Sequence, residues 1–508
     1  MDMTKVHRSL LLLCALGLSS VQAQQERTQI TLDSVAHEAQ ALIEQPPRQP
    51  EALAENLQSL SYDQYRDIRF RPSEALWWNA DSKFRVEFFH PGHLFQDQVE
   101  IFEASDTHVQ EIPFLKNAFD YGNSGYDPGF FKKPKAYSGI RVKYPVNNQD
   151  VYDELIVFLG GSYFRAIGAG HNFGLSLRGL AMNTIGEQED FPRFTKLWLK
   201  KPEANSNQLT LFALLEGEKV TGAYRFDVRS QGVTQIDVHT RLFFRAGGAA
   251  EVGIAPLTSM FVHGENSNNP NLTDWRPEVH DSDGMLVHAN NEWHWFPLEN
   301  LPGRTIQRLP TAKLRGFGLL QRDRDFKNYK DLEANYQRRP SAWIEPIGKW
   351  STGEIVLYTF GTDTEATDNV TAYWKPDIDA NTQNRTEFSY RITLQTKDPA
   401  HELAKVLETR VGQRTLDSNA STVIIEFSRP ESIGLDEIDR LSVGFEYGGA
   451  QAIEAPIIQY NEPEDRIRVF ANFKTPQERP QESPYRMSAQ LLREGHQVSE
   501  RWNYIWKH

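Results

Sequence analysis

Runs of alternating, β-branched and aromatic residues recur along most of this chain too closely for helices to fit between them. They occupy residues 84–89, 139–144, 209–215, 222–228 and 235–244, with turn-forming residues between them. Parallel strands need connections of a dozen or more residues, whereas antiparallel strands need only a short turn. The spacing therefore predicts an all-β fold of packed antiparallel sheets, a large sandwich. One helix is expected near the start, over residues 32–45. Val35, Ala39, Leu42 and Ile43 share one of its faces, Asp33 or Ser34 caps it, and Pro46-Pro47 stops it.

The polar tract from Lys375 to Thr386 lacks apolar periodicity and is the best linker in the chain. Residues 24–385 are expected to form the large β-sandwich. Residues 386–508 hold short strand-like runs at 388–395, 421–427, 440–447, 467–473 and 502–506, which suits an immunoglobulin-like sandwich.

Residues 1–23 have the pattern of a secretory signal peptide. Lys5, His7 and Arg8 precede an apolar core from Leu10 to Leu18, and Val21-Gln22-Ala23 is a small-residue cleavage site. That core is far shorter than the roughly 20 residues a transmembrane helix needs, and no later segment approaches such a length, so no transmembrane segment is expected. The bulky Leu13 before Cys14 argues against lipidation, and no Arg-Arg pair precedes the core to mark a twin-arginine route. Cys14 is the chain's one cysteine, so cleavage removes disulfides, thiolate metal sites and cysteine nucleophiles from consideration. A net charge of −13 with no basic tract argues against nucleic acid as a partner.

Trp275, Trp293, Trp295, Trp343, Trp350 and Trp374 fall within a 100-residue stretch that also holds His280-Asp281-Ser282-Asp283-Gly284 and the acids Asp363, Glu365 and Asp368. Sugars stack their C–H faces on aromatic rings and need polar partners for their hydroxyls, so this composition suits a saccharide cleft. Glycosidic cleavage needs two carboxyl groups, and Asp281, Asp283 and Asp368 are the candidates. The same residues equally suit tryptophan in a sandwich core and aspartate in turns. His280, Asp281, Asp283, His288 and His294 lie close in sequence, but their spacing matches neither HExxH nor a calcium loop, so neither a metal nor another cofactor is expected.

The glycine-rich segment from Gly160 to His171 reads as a tight strand–turn–strand or as a cleft wall. It lacks the Gly-Lys pair of a phosphate loop, and Ser162 lacks the context of a nucleophile elbow. Arg315 to Arg324 reads as a salt-bridged loop from which Gln321, Arg322 and Arg324 can face a cleft. Tyr336 either positions hydroxyls or ends a turn.

Several longer strings resemble a known family, the periplasmic proteins of osmoregulated glucan biosynthesis. They are Gly161-Ser-Tyr-Phe-Arg-Ala-Ile-Gly-Ala-Gly170, Ala255-Pro-Leu-Thr-Ser-Met-Phe261, Arg276-Pro-Glu-Val-His-Asp-Ser-Asp-Gly284, Gly316-Phe-Gly-Leu-Leu-Gln-Arg322, Arg339-Pro-Ser-Ala-Trp343 and Asp368-Asn-Val-Thr-Ala-Tyr-Trp374. Of the family's two branches, D members typically carry a twin-arginine leader and G members do not, so the resemblance is to the G branch.

The resemblance implies a periplasmic protein with a sugar-binding supersandwich joined to an immunoglobulin-like domain. Its implied ligand is β-1,2-glucan, and its implied activity is inverting endo-hydrolysis, with Asp281 and Asp368 as the catalytic pair. The direction taken is Asp368 as acid and Asp281 as base. His280, Asp283, Arg322, Tyr336, Trp343 and Trp374 are the expected substrate contacts. The alternative the resemblance leaves open is a non-hydrolytic protein that holds glucan for the membrane glucan-synthesis machinery. The chain departs from the family just before the second acid, where an apolar-Pro-Thr-x-Asp-Glu-Thr string is replaced by Phe360-Gly-Thr-Asp-Thr-Glu-Ala-Thr367.

Overall fold

The computed structural model describes residues 29–129, 134–186, 188–245, 251–266, 274–379, 384–414, 417–475 and 484–507. The expected signal peptide lies outside them. The described chain is nearly all β, and two large sheets carry it, one of ten strands and one of fifteen. Their neighbouring strands are almost all antiparallel, as the short turns require. Among the described pairings, the exceptions within these sheets are Glu100–Ala104 beside Arg193–Lys200 and Glu292–Pro297 beside Arg501–Trp506, which run parallel.

The two sheets face each other across one apolar core. Val142, Phe158, Leu257 and Trp374 enter it from the ten-stranded sheet, and Leu211, Phe226, Val238 and Ile392 from the fifteen-stranded one. Successive side chains on a strand point to opposite faces, so the outer face also has an apolar stripe. On Gln208–Glu216, Leu209 and Leu211 go inward, while Phe212 and Leu214 go outward and meet a helix.

That helix, Leu32–Ile43, buries Val35, Ala36, Ala39 and Leu42 against Trp198, Phe212, Leu214 and Phe243. Its cap is Thr31, just ahead of the expected Asp33 or Ser34. Thr31 accepts from the Ser34 N–H at 3.1 Å, and the Ser34 hydroxyl accepts from the Thr31 N–H at 2.9 Å.

The polar tract predicted as a linker spans a crossover instead. The chain leaves the ten-stranded sheet after Val370–Pro376 and joins the fifteen-stranded sheet at Arg385–Gln395, where it pairs with Val233–Phe244 on one side and Ser341–Pro346 on the other. Residues 388–395 thus belong to the first sandwich rather than to the C-terminal one. A connection between facing sheets is as polar as a linker between domains, so composition does not distinguish them.

The C-terminal sandwich is built onto the same large sheet. Arg501–Trp506 joins Glu292–Pro297, and Tyr485–Arg493 and Leu441–Glu446 extend the sheet outward. A five-stranded sheet packs on these strands around Val423, Ile425, Phe427, Val469 and Trp502. Leu286, Trp295, Leu320 and Trp343 complete that core from the first sandwich.

A buried ion cluster joins the two sandwiches. The Arg322 guanidinium pairs with Glu500 at 2.7 Å and Asp398 at 2.9 Å, and lies 3.6 Å over the Trp295 ring. Burial alone would raise the Glu500 carboxyl, but the charges of Arg322 and His401 overcome it and hold the group at about 2. Because its folded value is depressed, its contribution to stability is complete above the ordinary glutamate range and is lost as pH falls toward 2. Glu500→Gln should leave Arg322 without its main counter-charge and cost about 3 kcal/mol. Chemical denaturation at neutral pH should show this loss, and it should shrink as pH drops from about 4.5 toward 2.

Candidate functional site

A cavity of about 690 Å³ opens on the ten-stranded sheet. Phe95, Tyr163, Phe173 and Phe191 line it with aromatic surface, and Arg165 and Asp368 bring charge to it. The glycine-rich segment forms part of its wall. Gly160 and Gly161 make a turn with φ of +79° and +55°, a left-handed backbone that a side chain resists, and the strand Tyr163–Ala166 follows directly. Both sequence readings of this segment hold, since the tight turn is itself the cleft wall.

Asp368 is held by the residue after it. The fully buried Asn369 accepts from the Phe261 N–H at 2.9 Å and donates to the Phe261 and Phe360 carbonyls at 3.0 and 2.9 Å. This locks the start of Val370–Pro376 to its neighbours and leaves Asp368 at the cavity, its side chain 35% exposed. Arg165 stands 3.8 Å from it, aimed by a 2.8 Å hydrogen bond to Ser176.

Asp281 is buried just beyond the two-residue strand Val279–His280, and its N–H donates to the Met260 carbonyl at 2.9 Å. Its carboxylate lies 3.2 Å from Nε of Arg339. Burial pushes this carboxyl up, Arg339 opposes that, and the charge of Asp368 adds to the rise. The two predicted acids therefore feel each other, although Asp368 faces the cavity and Asp281 is the more deeply buried. Tyr336 lies beside them. Arg339 is stacked over its ring, and its hydroxyl donates to Glu365 at 2.6 Å.

Glu365 belongs to the string that departs from the family pattern. It also accepts from Arg276 at 2.6 Å, and Arg276 binds Asp274 and Asp331 as well. This knot fixes the chain on either side of Trp275, which is 68% exposed. The sequence marked Trp275 within the tryptophan cluster, Glu365 among the acids of the same stretch and Arg165 in the glycine-rich segment, but it did not show which partners they and Arg276 and Arg339 take.

The remaining predicted contacts sit elsewhere. Trp374 is fully buried, stacked on Trp350 at 4.5 Å, with its indole N–H on Thr311. Trp343 is 5% exposed in the second core, beside Trp293. Arg322 is spent on Glu500 and Asp398. Trp374 and Arg322 are taken up by packing and ion pairing in this fold, while Trp343, though nearly buried, has an edge on a second groove of about 830 Å³ beside Trp293 and Arg315.

His280 is buried between Glu278 and Gln321 at 2.9 and 3.0 Å. Burial alone would lower its pKa, but the charges of Asp283 and Glu278 raise it to about 9. Asp283 accepts backbone N–H groups of Arg322 and Asp323. The other predicted histidines are apart from this cluster, since His288 stacks on Trp293 and His294 pairs with Glu292.

These features define an all-β sandwich protein with an aromatic cleft carrying an aspartate, and a second, buried aspartate electrostatically linked to it. The chain belongs to the family described as periplasmic glucan biosynthesis protein, MdoG, whose model matches residues 30–506. It is 37% identical over 504 residues to the glucans biosynthesis protein G of Ralstonia nicotianae, covering 97% of this chain and 99% of that protein. The protein of that name from Serratia proteamaculans is 33% identical over 488 residues, covering 93% and 92%. The one from Pseudomonas putida is 40% identical over 384 residues, covering 74% and 66%. Among the described residues, no helix is long and apolar enough to cross a membrane.

If Asn369 holds the strand that presents Asp368, removing its amide leaves three backbone groups without partners. Asn369→Ala should then cost about 3 kcal/mol, read as a lowered unfolding midpoint. An unchanged midpoint would show that the strand start is held by other contacts.

Proposed function

We propose that this chain works in the periplasm, binds the backbone of β-1,2-glucan in the aromatic cavity, and trims it by inverting endo-hydrolysis. The observation that carries this reading is the pairing of Asp281 and Asp368. They come from different sheets, each has an arginine beside it, and each lies within reach of the other's field. Inverting cleavage assigns one carboxyl to protonate the leaving oxygen and the other to activate water. Asp368, at the cavity, takes the position of the proton donor. Asp281, the more deeply buried of the two, takes that of the base. Arg165 and Arg339 then act as positioning residues that set the charge balance of the pair. Of the cavity's other ions, Arg141 and Glu154 pair with each other, and Arg141 also binds Glu87, which suits a neutral saccharide.

One feature favours a second reading, in which the protein holds glucan for the membrane glucan-synthesis machinery and does not cleave it. Asp281 is 3.2 Å from Arg339 and is not part of the cavity wall, so water must reach it past that arginine. Linear β-1,2-glucan incubated with the purified protein and sized by chromatography distinguishes the two. Shortening that falls at least about 100-fold in Asp281→Asn and in Asp368→Asn supports hydrolysis. Binding by calorimetry without any shortening supports the holding role.

A further inference from the structure

Glu265, Glu278, His280 and Asp283 each bring one ligand-type atom into a space where all four lie within 4.8 Å of one another. Glu278, His280 and Asp283 are buried, with Asp283 only 3% exposed. Among the described residues, Glu265 Oε2 and Asp283 Oδ1 take part in no hydrogen bond, and Asp283 Oδ1 has only the His280 Nδ1 nearby, at 3.5 Å. Orphaned carboxylate oxygens are costly in a protein interior and call for a counter-charge.

The surroundings orient these atoms toward a common centre. Asp283 Oδ2 accepts the N–H groups of Arg322 and Asp323, which turns Oδ1 toward the cluster. The Gln321 amide donates to the His280 and Tyr336 carbonyls at 3.1 and 3.2 Å, which fixes its own oxygen as the acceptor of the His280 Nδ1–H. Nε2 is thereby left facing Glu278, and a ring held through Nδ1–H on an amide oxygen is the usual arrangement of a metal-binding histidine. Gly264 passes so close that a Cβ there would lie 3.3 Å from His280 Nε2. A side chain at Gly264 would press on the imidazole, so glycine there eases the approach of the chain carrying Glu265.

We propose that Glu265, Glu278, His280 and Asp283 bind one divalent first-row transition cation, Zn²⁺ or Mn²⁺, through one imidazole nitrogen and three carboxylate oxygens. The donor set holds no thiolate and mixes nitrogen with oxygen, which suits these ions. Bonds of about 2.1 Å place tetrahedral ligand atoms roughly 3.3 Å apart, so the cluster must contract by about an ångström. The cation takes the place of the proton on Nε2. Its role is structural, tying the segment at Glu265 to the strand Val279–His280 and the turn after it. It does not depend on whether glucan is cleaved.

The test is calorimetric titration of the full chain with ZnCl₂ or MnCl₂, after EDTA treatment and dialysis. One ion per chain should bind, and the melting temperature should rise with it. Glu265→Gln and His280→Gln should each weaken binding by about 10-fold or more, and Glu265→Gln preserves shape and hydrogen bonding. Absence of stoichiometric binding by the wild type, or unchanged affinity in both variants, would overturn the proposal. If either variant fails to fold by circular dichroism, Co²⁺ added to the wild type decides. A visible spectrum distinct from aqueous Co²⁺ supports the site, and an unaltered aqueous spectrum refutes it.

Discussion

Four neighbouring strands, Gly284–Ala289, Glu292–Pro297, Leu314–Leu320 and Ser341–Pro346, send side chains into a core on each face, and this double burial limits where the chemistry can be. Met285, Val287, Phe317 and Ile344 enter the first core, while Leu286, Trp295, Leu320 and Trp343 enter the second. Their outer face is largely covered apart from the groove beside His288, Trp293 and Arg315, and polar residues collect at the strand ends. Gly284 pairs with Leu320, and Leu319 with Ala342. That register sets three segments side by side, those carrying Asp281 and Asp283, Gln321 and Arg322, and Tyr336 and Arg339. The facing sheet supplies Asp368 through the Asn369 anchor.

Charge is handled differently at the two sides of this junction. Arg322, Glu500 and Asp398 are buried and mutually satisfied, and they hold the sandwiches together. Asp281 is buried with an incomplete partnership, so its carboxyl is pushed up rather than down. A fully paired ion is held in its charged form, whereas a carboxyl raised by burial keeps its proton more readily. The same shortage of partners recurs at Glu265 and Asp283.

The sheet fold was legible because period-2 runs and short turns are local signals. The strand Arg385–Gln395 went to the wrong sandwich because a crossover between sheets and a linker between domains have the same composition. The choice of Asp281 and Asp368 as the proposed pair rests on strings shared with a family, since composition offers Asp283 equally and does not separate any of the three from other turn aspartates. The tryptophan cluster misled in part. Trp343 and Trp374 are core residues, and the cavity is lined by phenylalanine and tyrosine that look like ordinary strand residues. The partners of Arg165, Arg339 and Glu365 were not legible, because they come from contacts made across the fold.

The central claim is that the cavity bearing Asp368 is where glucan sits. A crystal structure of the Asp368→Asn variant with a linear β-1,2-linked glucose oligomer tests it most directly. The account predicts sugar rings against Phe95, Tyr163 and Phe191, with a glycosidic oxygen within hydrogen-bond reach of residue 368. An oligomer bound instead in the groove of about 830 Å³ beside Trp293 and Arg315, with the Asp368 cavity bare, would contradict it.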